Sequence, residues 1–488
     1  MAEVIIGREE EIALFKEKLS SVSAEFIVVY GRRRVGKTYL IKQFFTQQTG
    51  VYFEQTGINN GSLQEQLAVF SESLSKAFYR GISLTKPKSW MEALERLTAA
   101  IEDTPKNKRI TLFFDELPWL ATQKSGFMKA LEYYWNTKWT YRKKLILIVC
   151  GSAASWMIEN IIYAKGGLHN RMTAKIPLQP FTLKETKFYL ASLGMNLNQQ
   201  QILQIYMAVG GIPHYLKSIK KGLSAAQNIN DLCFKKNGLL FNEFDILFHS
   251  LYEDPASYIN IIRTIASKSQ GMSRDDLIIK SKIPSGGYLN SRLRSLEDAG
   301  FILTYLPVGH TRRGVHYRVV DEYTLFYLRW IEPLRDKTLS TARTSHSWES
   351  LIKKPAWNTW AGYAFESICY KHIDVIKKVL RLDHIPTFCS NWQYQPNKKA
   401  NGDTGAQIDL VLDRDDGCVT LCEIKYSETP YLLSKEYAQD LQKKEAIFKK
   451  ITRNRKQIFW VLIAANGTIP NDILKKQIHQ VITLEDFF

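Results

Sequence analysis

No run of about 18 apolar residues occurs in the chain, so no membrane-spanning helix is expected. The opening residues, MAEVIIGREEEIALF, lack the basic segment followed by an apolar one that marks a secretory leader. Cysteine is sparse: six residues at positions 150, 233, 369, 389, 418 and 422, with no CxxC pair and no Cys/His zinc spacing. Reduced thiols in the cytoplasm are the expectation. His169, His214, His310 and His316 show no ligand spacing either. Internal repeats and low-complexity runs are also lacking.

What is present is core-forming material and positive charge. The 488 residues suggest two to four domains, and a hydrophobic fraction of 45% is ample for buried cores. The formal net charge of +18 points to a polyanionic partner, of which nucleic acid is the common one.

EFIVVY at 25–30 reads as a buried strand, GRRRVGKT follows at once, and YLIKQFF has helical spacing. Strand, glycine loop and helix, with Gly31, Gly36, Lys37 and Thr38, fit the G-x-x-x-x-G-K-[ST] pattern. Glycines there let backbone N–H groups aim at phosphate oxygens, and the helix adds its positive end. Lys37 would reach the β- and γ-phosphates and Thr38 would ligate Mg²⁺. Arg32, Arg33, Arg34, Val35 and Tyr39 complete the candidate nucleotide loop. A second strand, ITLFFD, ends in Asp115 and Glu116: the first would hold Mg²⁺, the second would polarise the attacking water. A third, LILIVCGS, ends at Ser152, whose hydroxyl could contact the γ-phosphate or cap the next helix. Arg171 precedes an extended segment and could sense phosphate of its own or a neighbouring subunit in a homo-oligomer. VGGIPHYL places Pro213 at the start of a helix.

Taken in order, YGRRRVGKT, LFFDEL, VCGS, a downstream arginine and VGGIPHYL resemble the archaeal-type P-loop ATPases of the AAA+/STAND kind, over residues 3–220. IIGREEEI matches the Gly-Arg-Glu element that opens such families near the adenine. The resemblance implies a parallel α/β sheet with a helical lid, ATP and Mg²⁺ as cofactors, and slow, regulated hydrolysis.

From about 255 the pattern changes to three short helices and two strands, FILTYLPV and GVHYRVVD, joined by GHTRRG. This is the plan of a winged helix, placed within 221–335. Ser273 and Ser285 are candidate helix caps. Residues 255–330 hold eleven Lys/Arg against six Asp/Glu. DNA contact would use Tyr288, Arg292 and Arg294 on the third helix, with Arg312 and Arg313 at the wing tip. The alternative is a winged helix that only packs against protein.

After a polar linker near 336–347, PAWNTWAGYAFESICYKHI reads as a helix with Glu366 beside its apolar face. GAQIDLVLDRDDGCVTLCEIKYSE then gives two strands with a DRDDG turn between them. Asp409, Glu423 and Lys425 interrupt otherwise apolar strands, and 423 and 425 share a face. Two carboxylates at neighbouring strand ends suit a hard divalent cation, and Lys425 would position water or offset developing charge. With Glu366 upstream and a lysine-rich helix downstream, residues 345–488 resemble the PD-(D/E)xK nuclease superfamily. That resemblance implies a small restriction-endonuclease-like α/β domain holding Mg²⁺ or Mn²⁺ through Glu366, Asp409 and Glu423, with Lys425 catalytic. The expectation is therefore an ATPase coupled to a metal-dependent nuclease acting on DNA. The rivals are a nucleotide-gated switch that only binds nucleic acid or protein, and a protein-remodelling enzyme.

Overall fold

Strands buried on both faces of a parallel sheet read as near-continuous apolar runs. The computed structural model describes residues 4–122, 124–163, 167–168, 170–309, 314–335, 348–396 and 405–488. Its contacts divide the chain into two units, the first comprising Met1–Phe181, Ile212–His214 and Asp298–Gly300. In that unit β1 (Glu25–Tyr30), β2 (Val51–Thr56), β3 (Ile110–Asp115), β4 (Leu145–Gly151) and β5 (Ala174–Pro177) form one parallel sheet, in the order β2-β3-β4-β1-β5. The central β3 and β4 are buried throughout, whereas edge strand β5 alternates buried and exposed residues and ends in a proline. The carboxyl ends of β1, β3 and β4 therefore lie side by side, where open parallel sheets bind ligands.

Interlocking rings fill the core on one face: Phe53 meets Phe114 at 5.7 Å and Trp90 meets Phe127 at 4.8 Å. These come from β2, β3 and the helices Trp90–Asp103 and Phe127–Thr137. Phe15 packs on Phe44 and Phe45 of the helix Lys37–Phe45, whose first residue follows the glycine loop.

The second unit comprises Thr182–Gly211, Tyr215–Glu297 and Phe301–Phe488. Three helices, Pro255–Ala266, Arg274–Ser281 and Gly287–Asp298, precede a hairpin. Its strands β7 (Ile302–Tyr305) and β8 (His316–Val319) are antiparallel, and β6 (Met272–Ser273) adds to β8. Leu289, Leu293 and Leu296 form the buried face of the third helix. Ser273 caps its helix by accepting the Asp276 N–H at 3.1 Å. Ser285 is not at a cap position, because the helix starts at Gly287, after Gly286 with φ +156°. The hairpin tip, with Arg312 and Arg313, lies outside the described residues, as do His169 and His310.

The same unit carries a second five-stranded sheet, ordered β13-β12-β11-β10-β9. β9 (Thr387–Tyr394), β10 (Ala406–Arg414) and β11 (Cys418–Lys425) are antiparallel neighbours. β12 (Gln457–Ala464) and β13 (Gln480–Thr483) run parallel to β11. The turn between β10 and β11 holds Gly417 at φ +80°, the left-handed position that closes a three-residue hairpin loop. The helix Lys435–Thr452 covers one face through Leu441 and Phe448, with Phe448 edge-on to Trp392 at 5.2 Å.

His372, at the end of the helix Pro355–Lys371, is wholly buried. The Leu183 N–H donates to its Nε2 at 3.2 Å, so the proton sits on Nδ1 and donates to Ile368 O at 2.9 Å. Burial pushes its pKa down to about 4 from the ordinary 6.5. A depressed folded-state value gives stability that is present above 6.5 and lost as pH falls towards 4. Urea unfolding of this unit at pH 7 and pH 4.5 should therefore show a fall that is smaller by roughly 2 kcal/mol in His372→Gln.

Candidate functional site

The P-loop begins where β1 ends. Gly31 has φ +143°, and a Cβ there would lie 2.3 Å from Leu178 O, so no other residue fits. Arg34 (φ +72°) and Gly36 (φ +92°) are also left-handed, conformations of the kind that form anion-binding loops. Lys37 is buried, and its Nζ donates to Gly31 O and Arg32 O, both at 2.9 Å. Neutral carbonyls are its hydrogen-bond acceptors, and burial lowers its pKa. Thr38 Oγ1 donates to Asp115 Oδ2 at 2.8 Å. Burial raises the Asp115 pKa, the Thr38 hydroxyl offsets part of that, and nearby Glu116 adds to it. A hydroxyl and a buried carboxylate in contact, with the carboxylate short of positive charge, are a donor pair that Mg²⁺ would satisfy.

Glu116 adopts φ +49°, a left-handed conformation rare outside glycine. Its carboxylate accepts the Ser152 N–H at 3.1 Å and the Ser152 hydroxyl. Ser152 therefore holds Glu116 and does not cap a helix; Ala153 occupies the cap position of Ala154–Met157. Pro213 stands 4.0 Å from where a Gly36 Cβ would lie, which puts this proline beside the loop. Arg32 and Val35 are buried and Tyr39 is exposed; Arg33 and Arg34 are half-buried. Arg171 is exposed ahead of β5. Arg8 donates to Val35 O at 3.3 Å and stacks over the Phe181 ring at 4.5 Å, a contact that IIGREEEI did not disclose by itself.

In the second unit the carboxylates meet at one end of the β9–β10–β11 sheet. A bulge in β10 between Ile408 and Val411 places Asp409 and Leu410 opposite the single Asn391, and such bulges re-aim a side chain. Asp409 Oδ2 accepts the Ile424 N–H at 3.0 Å, and the Tyr370 hydroxyl donates to Asp409 O. Burial, then the negative charges of Glu423 and Glu366, push the Asp409 pKa up to about 7. Glu423 is 1% exposed and accepts from Lys444 Nζ at 2.8 Å, Lys425 Nζ at 3.2 Å and the Tyr437 hydroxyl. Glu366 is 7% exposed and pairs with Arg318 Nη1 at 2.8 Å. Arg318, on β8, is 2% exposed and lies 4.9 Å from the Tyr370 ring centre.

Glu366, Asp409 and Glu423, the three carboxylates expected around a metal, are near one another, and two of them are already ion-paired. As they are paired here, no three His, Cys, Asp or Glu side chains among the described residues form a preformed metal-holding group. Lysines and an arginine already neutralise Glu423 and Glu366. The chemistry of the set still suits a hard cation, because burial and the charges of Glu423 and Glu366 hold Asp409 above its ordinary range and a cation would offset both.

Residues 5–219 match a family described as an ATPase domain predominantly from Archaea. This segment is a P-loop ATPase domain. The match nearly coincides with the 3–220 that the motifs mark. The chain is 25% identical over 448 residues to the uncharacterized protein MJECL04 of Methanocaldococcus jannaschii, covering 91% of this chain and 92% of that one. A 41-residue stretch is 46% identical to the uncharacterized ATP-binding protein MJ0423 of the same organism, 8% of this chain and 70% of that one. Among solved structures, the Walker-type ATPase paby2304 of Pyrococcus abyssi is 20% identical with a TM-score of 0.45, over 67% of this chain and 96% of that chain. The ORC2 protein of Aeropyrum pernix, in ADPNP-ADP complexes, is 15% identical with a TM-score of 0.38, over 68% and 94%. Among the described residues no helix is long and apolar enough to cross a membrane.

Within the ATPase domain, Lys37, Thr38, Asp115, Glu116 and Ser152 come together as described. In the second unit Glu366, Asp409, Glu423 and Lys425 do so, together with Arg318, Tyr370, Tyr437 and Lys444, which sequence reasoning missed. Charge inside an apolar strand is the signal that could have found Arg318: it interrupts HYRVV as Asp409 interrupts its own strand. Arg292 is not the open cation expected. It bonds Asp254 at 2.9 Å and lies 3.2 Å from the Tyr288 ring centre, whereas Arg294 is exposed.

Arg318→Leu should leave Glu366 buried without its cation and cost about 3 kcal/mol in urea unfolding. Adding Glu366→Leu should return most of that loss, which a double-mutant cycle measures directly.

Proposed function

We propose that this protein uses ATP binding and hydrolysis to control action on DNA, and that its second unit carries a nuclease-like centre dependent on Mg²⁺ or Mn²⁺. The observation that carries the ATP half is the buried Lys37, whose ammonium bonds the loop's own carbonyls beside the Thr38–Asp115 pair. A β,γ-phosphate would give that ammonium an anionic partner, and Thr38 and Asp115 would hold Mg²⁺. Glu116 orients the attacking water once Ser152 releases it. Gly31, Arg32, Arg33, Arg34, Val35, Gly36, Tyr39 and Pro213 line the nucleotide, and exposed Arg171 suits the phosphate of a neighbouring copy.

Three helices and a hairpin with exposed Arg294 and Tyr288 support a winged-helix reading, with DNA as the polyanion that +18 attracts. Glu366, Asp409 and Glu423 would hold the divalent cation, which would supply Lewis acidity at a scissile phosphate. Lys425 and Lys444 balance charge on Glu423 until then. The nucleotide-gated switch is the second reading. It is favoured by Glu366 and Glu423 already being paired, as they would be in a domain that binds without cutting.

Lys37→Ala should abolish binding of a fluorescent ATP analogue. Glu116→Gln should keep that binding and slow turnover about 100-fold; turnover at the wild-type rate would remove Glu116 from the reaction. For the second unit, linear, supercoiled and single-stranded DNA incubated with Mg²⁺ or Mn²⁺, with and without ATP, should be cut by the wild type and spared by Asp409→Ala. Cutting by both would place the activity elsewhere, and cutting by neither would leave the switch.

A further inference from the structure

A cavity of about 400 Å³ adjoins the carboxylate end of the second unit's sheet. Its walls are rich in carboxamides: Gln270, Asn391, Gln393, Gln395 and Gln407, with the Tyr305 ring beside them. Gln407 and Gln393 face each other across the β10–β9 ladder. Gln407 shares a strand face with Asp409 two residues on, and its Nε2 lies 3.4 Å from Asp409 Oδ1. Gln270 reaches in from the chain before β6 and donates to Gln407 Oε1, while the Tyr305 hydroxyl donates to Gln270 O and accepts from Asn391 Nδ2 at 3.3 Å. The cavity is thus walled by β9, β10 and the small β6–β8–β7 sheet with the chain before it, and its wall residue Gln407 links it to Asp409.

From this arrangement we propose that the cavity receives one unpaired nucleobase of a nucleic-acid strand, next to the phosphate presented to Asp409. The proposal assigns a substrate class to the nuclease-like site and rests on that reading. The wall chemistry selects a base over a phosphate. Each carboxamide offers a donor pair and an acceptor side by side, which matches the mixed edge of a base. A phosphate needs positive charge, yet among the described wall residues the one lysine, Lys268, is paired with Asp276 at 2.8 Å. The volume suits a single nucleotide, and Tyr305 supplies an aromatic surface for it. In a duplex the same edge is taken by the partner base, so the strand must be single or the nucleotide turned out of the stack.

The test is fluorescence anisotropy with the full-length protein in EDTA without ATP, so that binding is read apart from any cleavage. Probes are a 12-mer DNA strand, the same sequence as RNA, and the blunt DNA duplex. The wild type should prefer single strands, and Gln393→Leu should weaken them about tenfold while leaving duplex affinity unchanged. Gln395→Ala, on an exposed side chain, is the second variant, and an unchanged urea-unfolding midpoint of the second unit certifies folding of both. Preference for the DNA or the RNA strand identifies which source fills the pocket. Equal loss on strand and duplex, or no loss in either variant, overturns the proposal. Strand-selective binding without any cleavage in Mn²⁺ would keep the base pocket and remove the nuclease. Cleavage that Asp409→Ala abolishes, with Gln393→Leu binding strands as the wild type does, would keep the nuclease and remove the pocket.

Discussion

A charge taken out of water must be met by opposite charge or by hydrogen bonds, or it costs several kcal/mol. That constraint shapes both sites. Lys37, Asp115, Glu366, Arg318 and Glu423 are all buried ionisable groups, and each is held by a specific partner. Apolar residues would serve the cores better at every one of these positions. Their burial marks them as candidates for chemistry.

The two sites meet the constraint differently. In the ATPase domain the glycine loop supplies dipoles: carbonyls hold Lys37 and a threonine hydroxyl holds Asp115. Dipoles compensate only partly, so burial still lowers the Lys37 pKa and raises that of Asp115. In the second unit full charges do the work. Arg318 answers Glu366, and Lys425 and Lys444 answer Glu423. Asp409 is left with amide donors, which only partly offset the rise in proton affinity that burial and the charges of Glu423 and Glu366 impose. A divalent cation entering there would compete with side chains already in place.

Ser152 and Glu116 show the same economy on a smaller scale. A carboxylate at a strand end, in a left-handed conformation, is steadied by one serine through its N–H and its hydroxyl. The hydroxyl that the strand pattern marked as a phosphate contact or a helix cap holds the neighbouring acid. Arg292 also found an internal partner, Asp254, in place of solvent.

Local order was legible in the sequence. EFIVVY, ITLFFD and LILIVCG had to be buried parallel strands because no alternation leaves them a wet face. GRRRVGKT had to be a loop entering a helix, since its glycines follow an apolar strand at once and helical spacing follows them. The acids at the ends of β3, β10 and β11 stood out because charge within an apolar run needs a reason. The partners of those acids were not legible. Arg318 lies 48 residues from Glu366, and Lys444 lies 21 from Glu423. Propensity and periodicity act over one element, whereas these pairs join different elements. The bulge that turns Asp409 depends on the register of β10 against β9, and the amide-lined cavity exists only where that ladder meets the small β6–β8–β7 sheet. The sequence by itself determined which residues carry charge into the core; only the tertiary structure decided what each charge would face, because burial makes partners compulsory without naming them.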